Sequence, residues 1–503
     1  MANHLFDPLF GRHASNTAAF LTADDGTALS YRAFLGLSAR MANLFTTLGA
    51  KKGDRVAVQV SKSPEALAVY AACLRCGLVL LPLNTGYTTA ELEYFLSDAE
   101  PFIVICDPAK ATEIAMVVPG GSRVLTLDSR GRGSLTEDAA EEEDIQTPVV
   151  CGPDDLAAIL YTSGTTGRSK GAMLSHDNLL SNARTLADLW RFSENDVLLH
   201  ALPIFHTHGL FVAVNVTAIS GARMLFHPGF KLERILMDLP GATVLMGVPT
   251  FYTRLLDDPG FTRERVAHMR LFVSGSAPLL AETHERFESR TGHRILERYG
   301  MTETNMNASN PYAGERRAGT IGFPLPGVDL RITDPETGRP LPDGDVGMIE
   351  VRGPNVFKGY WRMPEKTAEE LRDSGFFITG DLGRIDADGY LSIVGRQKDL
   401  IISGGYNIYP KEIEVLLDAL PGVGESAVVG IPDADFGEAV IAAVVPAPGA
   451  RPDPAELLER IRPKLARFKH PRDIRLVEEL PRNTMGKVQK NVLRDQFSNA
   501  PAG

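Results

Sequence analysis

Residues 161–176 read Tyr-Thr-Ser-Gly-Thr-Thr-Gly-Arg-Ser-Lys-Gly-Ala-Met-Leu-Ser-His. Within this stretch Thr162, Ser163, Thr165 and Thr166 carry hydroxyls, Gly164 and Gly167 free the backbone, and Lys170 supplies one cation. Hydroxyls and exposed backbone N–H groups on a glycine-freed turn surround anionic oxygens, and an ammonium adds a point charge. This composition predicts a loop that grips phosphate. It is not the Gly-x4-Gly-Lys-Ser/Thr loop, because Lys170 stands between Ser169 and Gly171. A Ser/Gly linker is the plain alternative. A lysine inside the glycine frame, directly behind the apolar run 156–160, argues against it.

The elements that must hold such a loop alternate along the chain. Residues 29–48 have helical apolar spacing and stop at Gly49, and 55–60 alternate as a strand. A helix over 64–75 leads through Gly77 into the apolar run 78–83, and strands at 102–106 and 123–127 follow. Strand and helix in turn imply a parallel sheet covered by helices, an α/β fold. Residues 128–148 are acidic and contain glycine, which predicts an exposed connector. A second alternating series runs from 156 past 270–273, completing two αβ subdomains. After Gly319 the pattern changes to short strands with Gly/Pro turns, a small β-barrel or sheet. The predicted domain boundary falls between Lys398 and Asp399, giving a large domain over 1–398 and a small α+β domain over 399–503. The small domain has helices at 410–419 and 454–465 and strands at 426–431 and 439–445.

Composition narrows the class. With 503 residues the chain exceeds one ordinary domain. A net charge of −11 argues against a nucleic-acid partner or an anionic membrane surface. No apolar run is long enough to cross a bilayer. The opening Met-Ala-Asn-His-Leu-Phe-Asp-Pro lacks a basic segment before an apolar core, so the expected compartment is the cytoplasm. Cys73 and Cys76 have the spacing of a redox or zinc pair, but Cys106 and Cys151 stand alone, and the apolar surroundings predict core thiols.

The loop resembles the signature of the acyl-adenylate-forming enzymes, and four more segments resemble that family's motifs in the family's order. They are Tyr299-Gly300-Met301-Thr302-Glu303, Thr379-Gly380-Asp381, Gly395-Arg396-Gln397-Lys398-Asp399 and Pro481-Arg482-Asn483-Thr484-Met485-Gly486-Lys487. The resemblance covers nearly the whole chain. It implies a large N-terminal domain and a small mobile C-terminal one, and a reaction using ATP, Mg2+ and CoA. An acid is first joined to AMP and then passed to the thiol. It also implies ATP-binding roles for Glu297, Tyr299, Gly300 and Met301, for Ser274, Ala277 and Pro278, and for Asp381 and Arg396 at the ribose. Thr302 meets the α-phosphate, and Thr166 and Glu303 hold magnesium, a hard cation that takes oxygen ligands. Lys398 and Asp399 form the hinge, and Gly404, Gly405 and Tyr406 line the thiol tunnel. An ordinary Gly-Gly turn is the other reading of that pair.

The first step drives a carboxylate against the α-phosphate. Two like charges at ~4 Å repel by ~4 kcal/mol at an effective dielectric of ~20, so cations at the site control the rate. Lys487 follows Gly486 in a turn-rich segment and can reach inward from a loop tip. The resemblance gives it the catalytic contact with carboxylate and α-phosphate. Acetylation would cancel its charge, so a lysine acetyltransferase and deacetylase acting on Lys487 are expected partners.

The acid itself is read from Val248-Pro249-Thr250-Phe251-Tyr252-Thr253-Arg254, a helix start. A guanidinium turned inward requires an anion, and it pairs with carboxylate through two hydrogen bonds. What the resemblance implies is that Arg254, His206, Thr207, Ser276 and Met306 together line a dicarboxylate pocket. The resemblance within the family is to enzymes that activate malonate and often methylmalonate. Alternatives are an exposed Arg254 with a short- or medium-chain monocarboxylate substrate, or a stand-alone adenylation enzyme that loads a carrier protein.

Overall fold

The computed structural model describes residues 3–162, 169–403, 406–433, 436–483 and 486–498. The chain divides into two compact units. One comprises Met1–Ala318, Gly322–Asp329 and Val351–Phe377, the other Gly319–Ile321, Leu330–Glu350 and Ile378–Gly503. The expected boundary at Lys398 and Asp399 lies inside the second unit.

The first unit contains two sheets. In the six-stranded sheet Arg123–Thr126, Ile103–Cys106, Arg55–Gln59, Val79–Pro82 and Leu156–Thr162 run parallel, and Lys170–Ser175 closes it as an antiparallel edge. Val79–Pro82 and Ile103–Cys106 are buried at every position, as strands covered on both faces must be. The nine-stranded sheet has a parallel centre of Leu296–Met301, Leu271–Ser274, Val244–Gly247, Val197–His200, Arg223–Phe226 and Ala19–Ala23. Helices form where their signals agree. Pro64–Cys76 starts on the Ser63 cap, whose hydroxyl accepts from the Ala66 N–H, with proline at the first position. All four cysteines are buried and unpaired, and burial raises the Cys73 and Cys76 thiols, so they pack as core residues.

One sequence expectation is corrected here. Residues 128–148 are not only connector, because a helix spans Ser134–Ala140 and buries Leu135 and Ala139. Acidic composition hid the two apolar positions, four apart, that dock it.

In the second unit the strands expected after Gly319 form a four-stranded sheet with Asp329–Thr333, Gly347–Arg352, Phe377–Ile385 and Leu391–Arg396 in that order. The C-terminal sheet centres on the pair Val423–Asp433 and Gly437–Pro446. Strand side chains alternate faces. Val428, Val440, Ala442 and Val444 therefore meet Ile413, Leu417, Leu457 and Ile461, while Ala427, Val429, Ile441 and Ala443 meet Leu493 and Phe497. The helix Lys490–Ser498 thus covers the face that the earlier helices leave open.

Candidate active site

The phosphate-loop candidate joins the antiparallel strands Leu156–Thr162 and Lys170–Ser175, with Thr162 registered opposite Lys170. Ser163, Gly164, Thr165, Thr166 and Gly167 lie outside the described residues. Lys170 is buried, and its ammonium bonds Glu370 at 2.9 Å and the Tyr360 hydroxyl at 3.1 Å. The charge expected to face phosphate is thus held by a carboxylate at the end of the helix Pro364–Glu370, as a buried ammonium requires. Burial pushes the Glu370 carboxyl up, but the Tyr360, Lys170 and Lys366 hydrogen bonds win and hold it below its ordinary value.

Glu303 is buried in the turn between the paired strands Leu296–Met301 and Asn305–Ser309. Its carboxylate lies 3.1 Å from the Tyr360 hydroxyl and 3.4 Å from that of Thr162. The Tyr360 hydroxyl therefore links Lys170 to Glu303, and Glu303 in turn meets Thr162. Thr302 is half-buried beside them, and Tyr299 is buried one strand turn earlier. Glu297 is buried with His284 Nδ1 at 3.3 Å.

A second cluster forms at the ends of neighbouring strands. The strand Leu271–Ser274 runs into Gly275 and Ser276, and Ser276 takes φ 71°. Its hydroxyl lies 3.2 Å from His208 Nδ1, and the His208 N–H donates to His206 Nδ1 at 3.3 Å. Thr207 is buried and its hydroxyl has no hydrogen-bond partner among the described residues. Beside them stands Arg298, 4% exposed, on the strand Leu296–Met301. Its guanidinium lies so close over Gly275 that a Cβ there would come within 2.3 Å of Cζ. Arg298 Nε and Nη2 have no hydrogen-bond partner among the described residues. Burial pulls its pKa down to about 9, so it is still charged at neutral pH. Burial, then repulsion from Arg298, holds His208 well below its ordinary value, so the imidazole is neutral. Met306 is buried, and its backbone is fixed by Asn182.

Arg254 departs from expectation. It is exposed, with Cζ 5.9 Å from the centre of the Phe230 ring, which stacks on Phe251 at 4.2 Å. The helix Pro249–Asp257 buries Phe251, Tyr252, Leu255 and Leu256, and position 254 falls off that stripe. The buried guanidinium expected at Arg254 is found instead at Arg298, a residue with no motif of its own in the sequence. Its signal was present. An arginine follows Leu296 and Glu297 directly before the Tyr299 motif, in a strand whose first four positions are all buried.

The second unit holds the remaining candidates. Asp381 is buried and Arg396 Nε reaches it at 2.6 Å across the strand pair. Asp381 lies within the strand Phe377–Ile385 rather than in a free Thr-Gly-Asp turn; Gly380 has φ 71° and the Asp381 N–H donates to the Thr379 hydroxyl at 3.0 Å. The Lys487 backbone is bonded to Asn483 in both directions. Its N–H donates to Asn483 Oδ1 at 3.0 Å, and the Asn483 N–H donates to the Lys487 carbonyl at 2.9 Å. Lys487 is exposed by residue area, yet desolvation, followed by repulsion from Arg396, lowers its pKa to about 8. Lys490, read from the sequence as plain surface charge, pairs with the buried Glu414 at 2.5 Å. Lys398 and Asp399 belong to a single helical turn, Gln397–Asp399, and Arg494 binds Asp399 at 2.7 Å. Gly404 and Gly405 lie outside the described residues. Tyr406 is exposed and stacks on Phe468 at 4.5 Å.

A hydroxyl-rich segment joining two paired strands, a buried carboxylate beside Thr162 and a lysine-bearing C-terminal unit define the class. The chain belongs to the AMP-binding enzyme family, whose model matches residues 10–361 and whose C-terminal-domain model matches 412–487. It is an acyl-CoA ligase of the acyl-adenylate-forming superfamily, an enzyme that joins an acid to a thiol. It is similar to the feruloyl-CoA synthase of an Amycolatopsis species, 38% identical over 477 residues and 94% of each chain. It is 34% identical to the malonate–CoA ligase of Arabidopsis thaliana over 567 residues, 99% of this chain and 91% of that one. Among solved structures, ATP-bound MatB from Rhodopseudomonas palustris is 58% identical over 99% of each chain, with a TM-score of 0.97. No helix among the described residues is long and apolar enough to cross a membrane.

Proposed function

We propose that this ligase activates malonate, and methylmalonate, with ATP, passing the malonyl group from AMP to CoA. The observation that carries this reading is Arg298. A buried guanidinium with two unpaired nitrogens costs several kcal/mol unless an anion meets it. A monocarboxylate spends its only anion at the phosphate. A short dicarboxylate brings a second one, and the similarity to a malonate–CoA ligase favours the same acid. Similarity alone does not decide it, since a feruloyl-CoA synthase is slightly more identical, and ferulate has no distal carboxylate.

In this reading Arg298 and Ser276 hold the distal carboxylate. Neutral His208 keeps Ser276 oriented without adding a competing charge. Thr207 and Met306 border C2, and their size sets how large a C2 substituent fits. Arg254, an exposed cation over Phe230, attracts the dianion from solvent. Lys170 and the hydroxyls of 162–167 meet the ATP phosphates, and Lys170 exchanges its Glu370 partner for them. Asp381 and Arg396 meet the ribose, and Lys487 neutralises the approach of carboxylate and α-phosphate.

Magnesium fits the residues present. Glu303 is a buried carboxylate whose described neighbours, Tyr360 and Thr162, are oxygen groups, the donor chemistry a hard cation takes. Glu303 and Thr166 would hold it, and it would neutralise phosphate charge.

A panel of acids assayed for CoA- and ATP-dependent AMP formation tests the assignment. Malonate and methylmalonate should exceed succinate, butyrate and ferulate in kcat/KM by at least about tenfold. A preference for butyrate or ferulate sinks the dicarboxylate reading and leaves the acyl-CoA ligase.

We infer that the part of the chain carrying Lys487 pivots at Lys398 and Asp399 between the two half-reactions. Asp399→Pro fixes φ near −65° and removes a backbone N–H. The two half-reactions should then respond unequally, measured as pyrophosphate release and as conversion of supplied malonyl-adenylate. Proportional losses in a folded variant would place the pivot elsewhere.

A further inference from the structure

The first unit contains a buried ammonium that the chemistry above does not use. Lys62 is 8% exposed in the link between the strand Arg55–Gln59 and the helix Pro64–Cys76. Its ammonium donates to the His200 carbonyl at 2.9 Å, the Leu202 carbonyl at 2.9 Å and His200 Nδ1 at 2.8 Å, and lies 4.2 Å from the centre of the Phe226 ring. Three N–H groups meet three acceptors. The other ring nitrogen, His200 Nε2, lies 2.8 Å from the Gly209 carbonyl. A carbonyl only accepts, so Nε2 carries the hydrogen and Nδ1 is the acceptor that Lys62 satisfies.

These bonds have a common object. The His200 and Leu202 carbonyls begin the segment that ends at Gly209, and His200 carries the tether across to that end. The segment turns back on itself so tightly that a Cβ at Gly209 would lie 2.0 Å from the Pro203 carbonyl oxygen. Between the tethered ends lie His206, Thr207 and His208, and the run continues into the irregular π-helix His208–Val214. Helices with that wide turn are marginal, and need their surroundings to hold them.

We propose that Lys62 is a positioning residue for acid binding. It clamps both ends of residues 200–209, one end directly and the other through the His200 ring, and so holds His206, Thr207 and His208 against Ser276 and Arg298. The position of a cation deep in the unit fits this task. An ammonium offers three donors to a turn whose carbonyls have left the regular ladder, and no uncharged side chain offers as many at one point. The inference rests on the acid-binding reading of residues 206–208.

The test uses the full-length enzyme and whichever acid the wild type prefers. Lys62→Met keeps the stem and removes the donors. The KM for the acid should rise about tenfold or more while the KM for ATP stays within about twofold. His200→Leu should do the same, because it cuts the tether to Gly209. The double variant should be no worse than the poorer single one within about threefold, since both act through one network. Lys62→Gln, which keeps two donors, should fall between wild type and Lys62→Met. Equal shifts in both KM values, or losses that multiply in the double variant, would overturn the proposal. So would failure of both Lys62 variants to fold, which would make the residue a core stabiliser only. A wild type that prefers a monocarboxylate would sink the malonate reading alone, whereas an unchanged acid KM would sink this one.

Discussion

Lys487→Ala is expected to slow adenylate formation by two to three powers of ten, about 3–4 kcal/mol, the scale of one lost contact to transition-state charge. It should convert supplied malonyl-adenylate to thioester at a rate near wild type. The reason is electrostatic and belongs to one step. Carboxylate and α-phosphate meet as anions only during adenylation, while the second step brings a thiol to an activated acyl group. The paired bonds between Asn483 and the Lys487 backbone support a presenting role. Lys490 cannot substitute, since it is committed to buried Glu414. The pH dependence has a definite sign. The reactive form is the ammonium, and desolvation followed by Arg396 lowers its pKa to about 8. The kcat/KM of the adenylation step should therefore fall as pH rises through about 8. Equal loss of both half-reactions, in single-turnover assays of each, would show that Lys487 is structural or serves both steps.

The sequence made much of this fold legible and less of its acid pocket, for a physical reason. Long elements announce themselves through period and caps. The helix Pro64–Cys76 and the strands Ile103–Cys106 and Leu271–Ser274 fall within a residue or two of expectation. The family was legible because glycine, hydroxyl and lysine in one short window have few uses. The helix Ser134–Ala140 was missed because seven residues with two buried positions give too little period. In the acid pocket, two arginines could not be told apart from the sequence. Arg254 and Arg298 are the same residue type, and both sit next to chemically suggestive neighbours. Only packing distinguishes them, since one falls off the buried stripe of a short helix and the other lies under Gly275 at the end of a strand. Such a difference depends on contacts between Leu271–Ser274 and Leu296–Met301, strands about two dozen residues apart in the chain, which no local window contains. Tyr360 and Glu370 were missed for the same reason, since they reach Lys170 from nearly two hundred residues away.

Arg298→Leu should lower kcat/KM for malonate by at least about 3 kcal/mol, roughly a hundredfold or more, because a desolvated carboxylate loses its only buried cation partner. Activity on butyrate should fall much less and can rise, since an apolar wall replaces an uncompensated charge. Folding stability offers an independent control. Removing a buried guanidinium that has unpaired nitrogens takes away a desolvation penalty, so thermal unfolding of the substrate-free variant should occur no lower than in wild type. Loss of malonate activity in a variant of unchanged or raised Tm then reports on the contact rather than on the fold. Arg254→Leu separates the two arginines. As an exposed residue over Phe230 it should cost malonate less than about tenfold, mostly in KM, with the difference shrinking as salt is raised. Chain length supplies the remaining constraint. A guanidinium pinned over Gly275 cannot follow a longer acid, so succinate should be poor for the wild type and should lose little further in Arg298→Leu. The measurement is kcat/KM for malonate, succinate and butyrate on the wild type and both variants. Equal losses for malonate and butyrate in Arg298→Leu would show that the arginine only shapes the pocket. A larger malonate loss in Arg254→Leu would return the carboxylate contact to Arg254.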